Sequence, residues 1–136
     1  MARPTNALIV DDEEHVRAFV RLMLRELGIN DCWEAAEGTS AIQLAREHAP
    51  HLIVLDINMP GLNGLEVLAQ LKEVNPGFAV VMATSQRSMN HVSEALRLGA
   101  VGYLLKHSPR EEIMSGLKDV IDTLEENGDE SAGPAT

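Results

Sequence analysis

The fold is most clearly indicated by residues 51–61, which read HLIVLDINMPG. His51–Leu55 form a short aliphatic run that is typical of a strand buried on both faces of a parallel sheet. An acidic residue, Asp56, follows this run, and Pro60 and Gly61 then mark a loop. The stretch therefore predicts a central strand with a carboxylate at its carboxyl end.

The same pattern repeats along the chain and alternates with helical periodicity. Further strands are predicted at Ala7–Val10, Phe78–Ala83 and Val101–Leu105, with a weaker one at Asp31–Ala35. The clearest helix carries a buried stripe of Val16, Phe19, Val20, Met23, Leu24 and Leu27, and Gly28 ends it. Other helical patterns lie at Ser40–His48, Leu65–Val74, Met89–Leu98 and Ile113–Leu124. Five strands alternating with five helices predict an α/β fold, a doubly wound parallel sheet with helices on both faces.

Composition narrows the class of protein. The 136 residues suit one domain, and a net charge of −10 disfavours nucleic acids and anionic membranes as partners. A single cysteine, Cys32, excludes an internal disulfide framework and suits a reducing compartment. The apolar runs are too short for a transmembrane helix or a signal peptide. We therefore expect a cytoplasmic location, with the folded domain at residues 5–126 and a disordered acidic tail at 127–136.

Polar residues follow four of the predicted strands. In open α/β sheets the reactive crevice lies beyond the carboxyl ends of the strands, so these residues should share one edge. Three carboxylates against one ammonium leave a formal charge of about −2, which one divalent cation would neutralise. An all-oxygen site suits Mg²⁺, with Mn²⁺ as an option, and favours phosphoryl chemistry. The residues are Asp11 and Asp12, then Asp56, then Thr84 and Ser85, and finally Lys106.

Each of these residues also has a local interpretation. An Asp pair after a strand often caps the next helix, and Asp56 before a Pro-Gly loop could be a turn residue. Thr84 could cap a strand end, and a lone lysine is usually solvated. Their joint placement after separate strands favours a shared site.

The combination resembles the bacterial response-regulator receiver domain, the phosphoacceptor half of two-component signalling. The motifs that carry the resemblance are Leu8-Ile-Val-Asp11-Asp12, Ile53-Val-Leu-Asp-Ile-Asn-Met-Pro-Gly61, Thr84-Ser85 and Gly99-Ala-Val-Gly-Tyr-Leu-Leu-Lys106. The resemblance implies a CheY-like sheet in the order 2-1-3-4-5. It covers residues 5–126.

The resemblance also implies a role for each site residue. Asp56 would be the phosphoacceptor, and Asp12 and Asp56 would bind Mg²⁺ directly. Asp11 would act largely through water, and Asn58 would contribute its backbone carbonyl. The phosphoryl contacts would come from Lys106, the Thr84 hydroxyl and the Ser85 N–H.

A phosphoryl group on Asp56 would draw Thr84 inward and let Tyr103 move, which would alter the face built from helix 4, strand 5 and helix 5. The donor would be a phosphohistidine on a sensor histidine kinase or a histidine phosphotransfer protein. The output would be a protein target or an attached domain, and a homodimer through the altered face is a further option. One departure is His107, which stands where the family usually has proline after the lysine.

Two other classes of function stay open. A Mg²⁺-dependent phosphohydrolase with an aspartate nucleophile would usually carry a second acid at position 58, where this chain has Asn58. A receiver-like binding module without phosphorylation would not need the complete set of site residues.

Overall fold

The computed structural model describes residues 3–59, 61, 63–85 and 89–132. Strands and helices alternate throughout, as the sequence predicts. The elements are β1 (Asn6–Val10), α1 (Glu14–Glu26), β2 (Asp31–Ala35), α2 (Gly38–His48), β3 (Leu52–Asp56), α3 (Gly64–Val74), β4 (Val80–Thr84), α4 (Met89–Arg97), β5 (Gly102–Leu105) and α5 (Arg110–Ala132).

The five strands form one parallel sheet in the order β2-β1-β3-β4-β5, which confirms the predicted topology. All residues of the central strands β3 and β4 are buried, whereas the edge strands β2 and β5 are mostly half-buried. Continuous apolar runs fit the central strands because helices cover both of their faces.

Alternation along the strands divides the core into two layers. On β1, Leu8 and Val10 face the layer covered by α2 and α3, and Ala7 and Ile9 face the layer covered by α1 and α5. Both layers contain fully buried aliphatic side chains, including Leu68 and Leu117. This two-sided core fixes the sheet and leaves its carboxyl edge open for polar residues.

Helix α1 departs from the predicted stripe at one position. Val20, Met23 and Leu24 are buried, but Phe19 is 37% exposed, so its predicted burial is wrong. Phe19 lies at the margin of the contact between α1 and the sheet, where it lines a shallow groove together with Leu22.

Helix α5 continues to Ala132, beyond residue 126, where the sequence predicts the folded domain to end. Residues 133–136 of the predicted tail lie outside the described residues. Within the described part of the chain, no helix combines the length and the apolar character needed to span a membrane.

Candidate functional site at the carboxyl edge of the sheet

The sheet brings the predicted site residues together. Asp11 directly follows β1, Asp56 and Thr84 are the last residues of β3 and β4, and Lys106 directly follows β5. The sequence predicts β3 and β4 to end one residue earlier. Each strand gains its last residue because the ladder continues, with Asp56 paired with Ala83 and Thr84 with Leu105.

Asp11 and Asp56 are held in the same way. The Oδ1 atom of Asp11 accepts a hydrogen bond from the Glu13 N–H at 2.9 Å, and the Oδ1 atom of Asp56 accepts one from the Asn58 N–H at 3.1 Å. Each Oδ2 atom lies near the Lys106 ammonium, at 2.9 Å from Asp11 and 3.3 Å from Asp56. For Asp56, the turn interpretation and the shared site therefore both hold, because Oδ1 serves the turn and Oδ2 faces Lys106. The alternative that the Asp pair caps the next helix is wrong, because the N-cap residue of α1 is Glu13.

Burial makes this cluster electrostatically unusual. The side chains of Lys106, Asp11 and Asp56 are 6%, 4% and 0% exposed. Burial, reinforced by the negative charge of Asp11, raises the pKa of Asp56 to about 6, although Lys106 opposes this shift. Burial alone would lower the pKa of Lys106, but its contacts with Asp11 and Asp56 outweigh that effect and raise it. The cluster has more buried negative charge than Lys106 can balance.

Three carboxylates are arranged to accept a cation. Asp11, Asp12 and Asp56 each present an oxygen, and these oxygens lie within 4.8 Å of one another. Asp12 is exposed, which leaves the group open to solvent. Carboxylate oxygens are hard donors that suit Mg²⁺ or Mn²⁺, so the residues present fit such an ion.

The remaining predicted residues surround this group. Thr84 is buried, and the Asn58 side-chain amide donates to its hydroxyl at 3.3 Å. Ser85 is exposed directly after β4. Tyr103 lies on β5 opposite Met82 of β4 and packs against the core layer that contains Met82. The Lys106–His107 peptide bond is trans.

Two charged residues near the aspartates were not predicted as part of the site. The Glu13 carboxylate lies 3.2 Å from the Lys106 ammonium and is its third acidic partner. Arg17 of α1 donates to the Asp11 backbone carbonyl at 2.7 Å and pairs with Glu34 of β2 at 2.9 Å. Glu13 could have been suspected from its place beside the Asp pair, but nothing in the sequence links Arg17 to Asp11.

Gly64, the first residue of α3, is a third residue near the aspartates that was not predicted as part of the site. A Cβ atom at this position would lie 2.3 Å from the Asp56 carbonyl oxygen and 2.5 Å from the Ile57 Cα. The Gly64 N–H also donates to the Ile57 carbonyl at 2.8 Å. The first turn of α3 can therefore pack directly on the backbone of Asp56 only because residue 64 has no side chain.

Comparisons with known proteins agree with this arrangement. A family model described as the response regulator receiver domain matches residues 7–118. The chain is 34% identical over 115 residues to the chemotaxis protein CheY of Halobacterium salinarum, a match that covers 84% of this chain and 94% of that protein. It is 35% identical over 117 residues to a putative transcriptional regulator of Pseudomonas aeruginosa, covering 86% of this chain and 56% of that protein. The chain thus spans about half the length of the transcriptional regulators that it matches.

Solved structures give the same result. The CheX–CheY–BeF3–Mg²⁺ complex of Borrelia burgdorferi contains a chain that superposes with a TM-score of 0.81 at 26% identity, covering 86% of this chain and 89% of that one. The strand order, the residues at the strand ends and the family match lead to one conclusion. This chain is a receiver domain of the two-component response-regulator family.

Proposed function

We propose that Asp56 accepts a phosphoryl group from a phosphohistidine on a sensor histidine kinase or a histidine phosphotransfer protein. The observation that carries this proposal is the position of the Asp56 carboxylate: it is buried, 3.3 Å from the Lys106 ammonium and part of the three-aspartate group. A carboxylate with a raised pKa is less stable as an anion in this site than in water, and a bound cation relieves that instability.

The step is an in-line displacement. A carboxylate oxygen of Asp56 attacks phosphorus, the P–N bond to the donor imidazole breaks, and the nitrogen leaves with the bonding electrons. The product is an acyl phosphate on Asp56. Phosphoryl transfer passes through a loose transition state, so the protein mainly positions groups and balances charge.

Asp11, Asp12 and Asp56 would hold Mg²⁺, with a further ligand from the Asn58 backbone carbonyl. When bound, the ion supplies positive charge that offsets the charge on the phosphoryl oxygens. Lys106 pairs with one phosphoryl oxygen, and the Thr84 hydroxyl and the Ser85 N–H donate to others. The residues act once per phosphorylation event, and we expect no turnover of a separate substrate.

The output depends on Thr84 and Tyr103. Thr84 moves toward the phosphoryl group and Tyr103 fills the vacated space, which changes the face formed by α4, β5 and α5. That face controls a protein partner or an attached output domain in the cytoplasm, and a homodimer is a second mode of output. Thr84→Ala should keep phosphoryl uptake but weaken the output. Unchanged partner binding by the phosphorylated variant would contradict this.

The donor protein docks beside the site on α1. Leu22 is 57% exposed and neighbours the partly exposed Phe19, which gives an apolar surface on the helix that follows Asp11 and Asp12. Leu22→Glu should slow transfer from the donor protein and leave transfer from acetyl phosphate unchanged. Leu96→Glu on α4, which is 54% exposed, is the matched control because it places the same change on a different face.

The proposed function is tested by incubation with acetyl phosphate and Mg²⁺, followed by intact mass measurement. The wild-type chain should gain the mass of one phosphoryl group, and Asp56→Asn should gain none. An adduct of the same mass on Asp56→Asn would contradict the assignment of the acceptor. Asp31→Asn, at the exposed start of β2, controls for loss of a carboxylate and should retain the adduct.

A further inference from the structure

Lys106 has no spare donor in this structure. An ammonium group has three N–H donors, and three carboxylates lie within reach: Asp11 at 2.9 Å, Glu13 at 3.2 Å and Asp56 at 3.3 Å. A phosphoryl oxygen can therefore bind Lys106 only if one of these carboxylates gives up its place.

The three carboxylates differ in how easily they can leave. Asp11 and Asp56 are 4% and 0% exposed, and each is also fixed by a backbone N–H. The Glu13 side chain is 43% exposed, so its carboxylate can turn into water without leaving a buried charge unpaired. Glu13 is the partner that can be exchanged at the lowest cost.

We propose that the Glu13 carboxylate occupies, before phosphorylation, the position on Lys106 that a phosphoryl oxygen takes afterwards, and that its displacement slows phosphoryl capture. The inference rests on the proposed function of Asp56 and assigns Glu13 a positioning role that acts through Lys106. The contact with Lys106, and not the negative charge of Glu13 alone, sets the rate.

The variants Glu13→Gln, Glu13→Asp and Glu14→Gln separate contact from charge. Glu13→Gln removes both the charge and the ion pair, whereas Glu13→Asp keeps the charge on a side chain one methylene shorter. Glu14→Gln removes one charge from the adjacent, exposed residue at the start of α1. The initial rate of phosphorylation by acetyl phosphate at saturating Mg²⁺ is measured for each, together with the affinity for beryllofluoride.

Both Glu13 variants should capture the phosphoryl group about threefold faster than wild type, the scale set by one exposed ion pair. They should also bind beryllofluoride more tightly. Glu14→Gln should match wild type. Salt screens the direct Glu13–Lys106 contact of the wild type less than it screens a charge acting at a distance. The faster phosphorylation of Glu13→Asp relative to wild type should therefore persist when salt is raised well above 0.1 M.

The outcomes distinguish the two proposals. If the wild-type chain gains no phosphoryl group, both the proposed function and this inference are wrong. If wild type is phosphorylated on Asp56 but both Glu13 variants react no faster, only the role of Glu13 is wrong. Equal acceleration by Glu13→Gln and Glu14→Gln, with Glu13→Asp unchanged, would show an effect of charge alone and would also overturn the inference.

Discussion

Asp56 and Asp122 each face a lysine ammonium, yet the two pairs behave in opposite ways. The Lys118–Asp122 pair on α5 has an N–O distance of 2.8 Å, and its hydrogen bond lowers the pKa of Asp122. The Lys106–Asp56 pair has a distance of 3.3 Å, and the pKa of Asp56 is raised because burial outweighs the attraction. Side-chain exposure differs accordingly, at 61% for Lys118 and 6% for Lys106.

The difference shows that the surroundings of an ion pair decide its effect more than its length does. The two charges of an exposed ion pair are already well hydrated when they are apart, so their contact adds little to the stability of the fold. A buried group of like charges loses its hydration and repels itself, so part of the stability of the fold is given up at the site. That stability is recovered when a cation binds. The following measurements test this contrast.

The largest effect should come from Lys106→Met. Removing the Lys106 ammonium group, which contacts Asp11 and Asp56, leaves two buried carboxylates without this counter-charge, and we expect a loss of about 3 kcal/mol in the free energy of unfolding at pH 8 without Mg²⁺. Urea denaturation gives the value. Lys118→Met is the matched control and should leave stability nearly unchanged. Similar losses in both variants would remove the contrast between the pairs.

Asp56→Asn should have a smaller effect of opposite sign. Because the folded-state pKa of about 6 lies above the ordinary value of 3.8, ionised Asp56 destabilises the fold at neutral pH. The full shift from 3.8 to about 6 corresponds to about 3 kcal/mol, and we expect the variant to gain about 2 kcal/mol of it at pH 8 without Mg²⁺, because the side of the site open to solvent screens part of the electrostatic cost.

The pH dependence of stability tests the direction of the Asp56 shift. The wild-type free energy of unfolding should fall, relative to that of Asp56→Asn, as the pH rises from about 4 to about 6, and the two should converge below pH 4. Asp122→Asn should show the opposite trend with pH, because the pKa of Asp122 is lowered in the folded state. A stability difference for Asp56→Asn that grows toward low pH would contradict the assigned shift.

The smallest effect should be the stabilisation by Mg²⁺. At tenfold its dissociation constant, an ion that binds only the folded state adds about 1.4 kcal/mol. Asp12→Asn should weaken this gain while leaving stability without Mg²⁺ almost unchanged, because Asp12 is exposed. Thermal denaturation with and without Mg²⁺ measures both quantities. An equal rise in Tm for wild type and Asp12→Asn would mean that the ion binds elsewhere.

Much of the fold follows from the sequence because the signals that specify it are local. Buried strands read as aliphatic runs, and parallel strands place their carboxyl ends at one edge of the sheet. The residue order alone therefore predicts that Asp11, Asp56, Thr84 and Lys106 lie together, as they do. The order of the strands came from the resemblance and is confirmed.

The features that the sequence did not predict depend on where side chains point in three dimensions. Arg17 reaches the Asp11 carbonyl across the gap between α1 and β1, and Glu13 turns back toward Lys106, which is 93 residues away in the chain. Phe19 fits the helical stripe by spacing but lies at the margin of the packed surface. The spacing of apolar residues predicts which face of a helix is buried, but not how far the neighbouring structure extends over that face.

Gly64 has a consequence for how this chain can vary. A methyl group at that position would clash with the backbone carbonyl of Asp56, the residue proposed to carry the phosphoryl group. Steric exclusion alone therefore restricts position 64, although the glycine has no charged or reactive group. Gly64→Ala would therefore push strand and helix apart from behind the acidic cluster, altering the reacting carboxylate while every ionisable group is retained. Among natural variants of this chain, we expect glycine to persist there even where the neighbouring loop residues are freely exchanged.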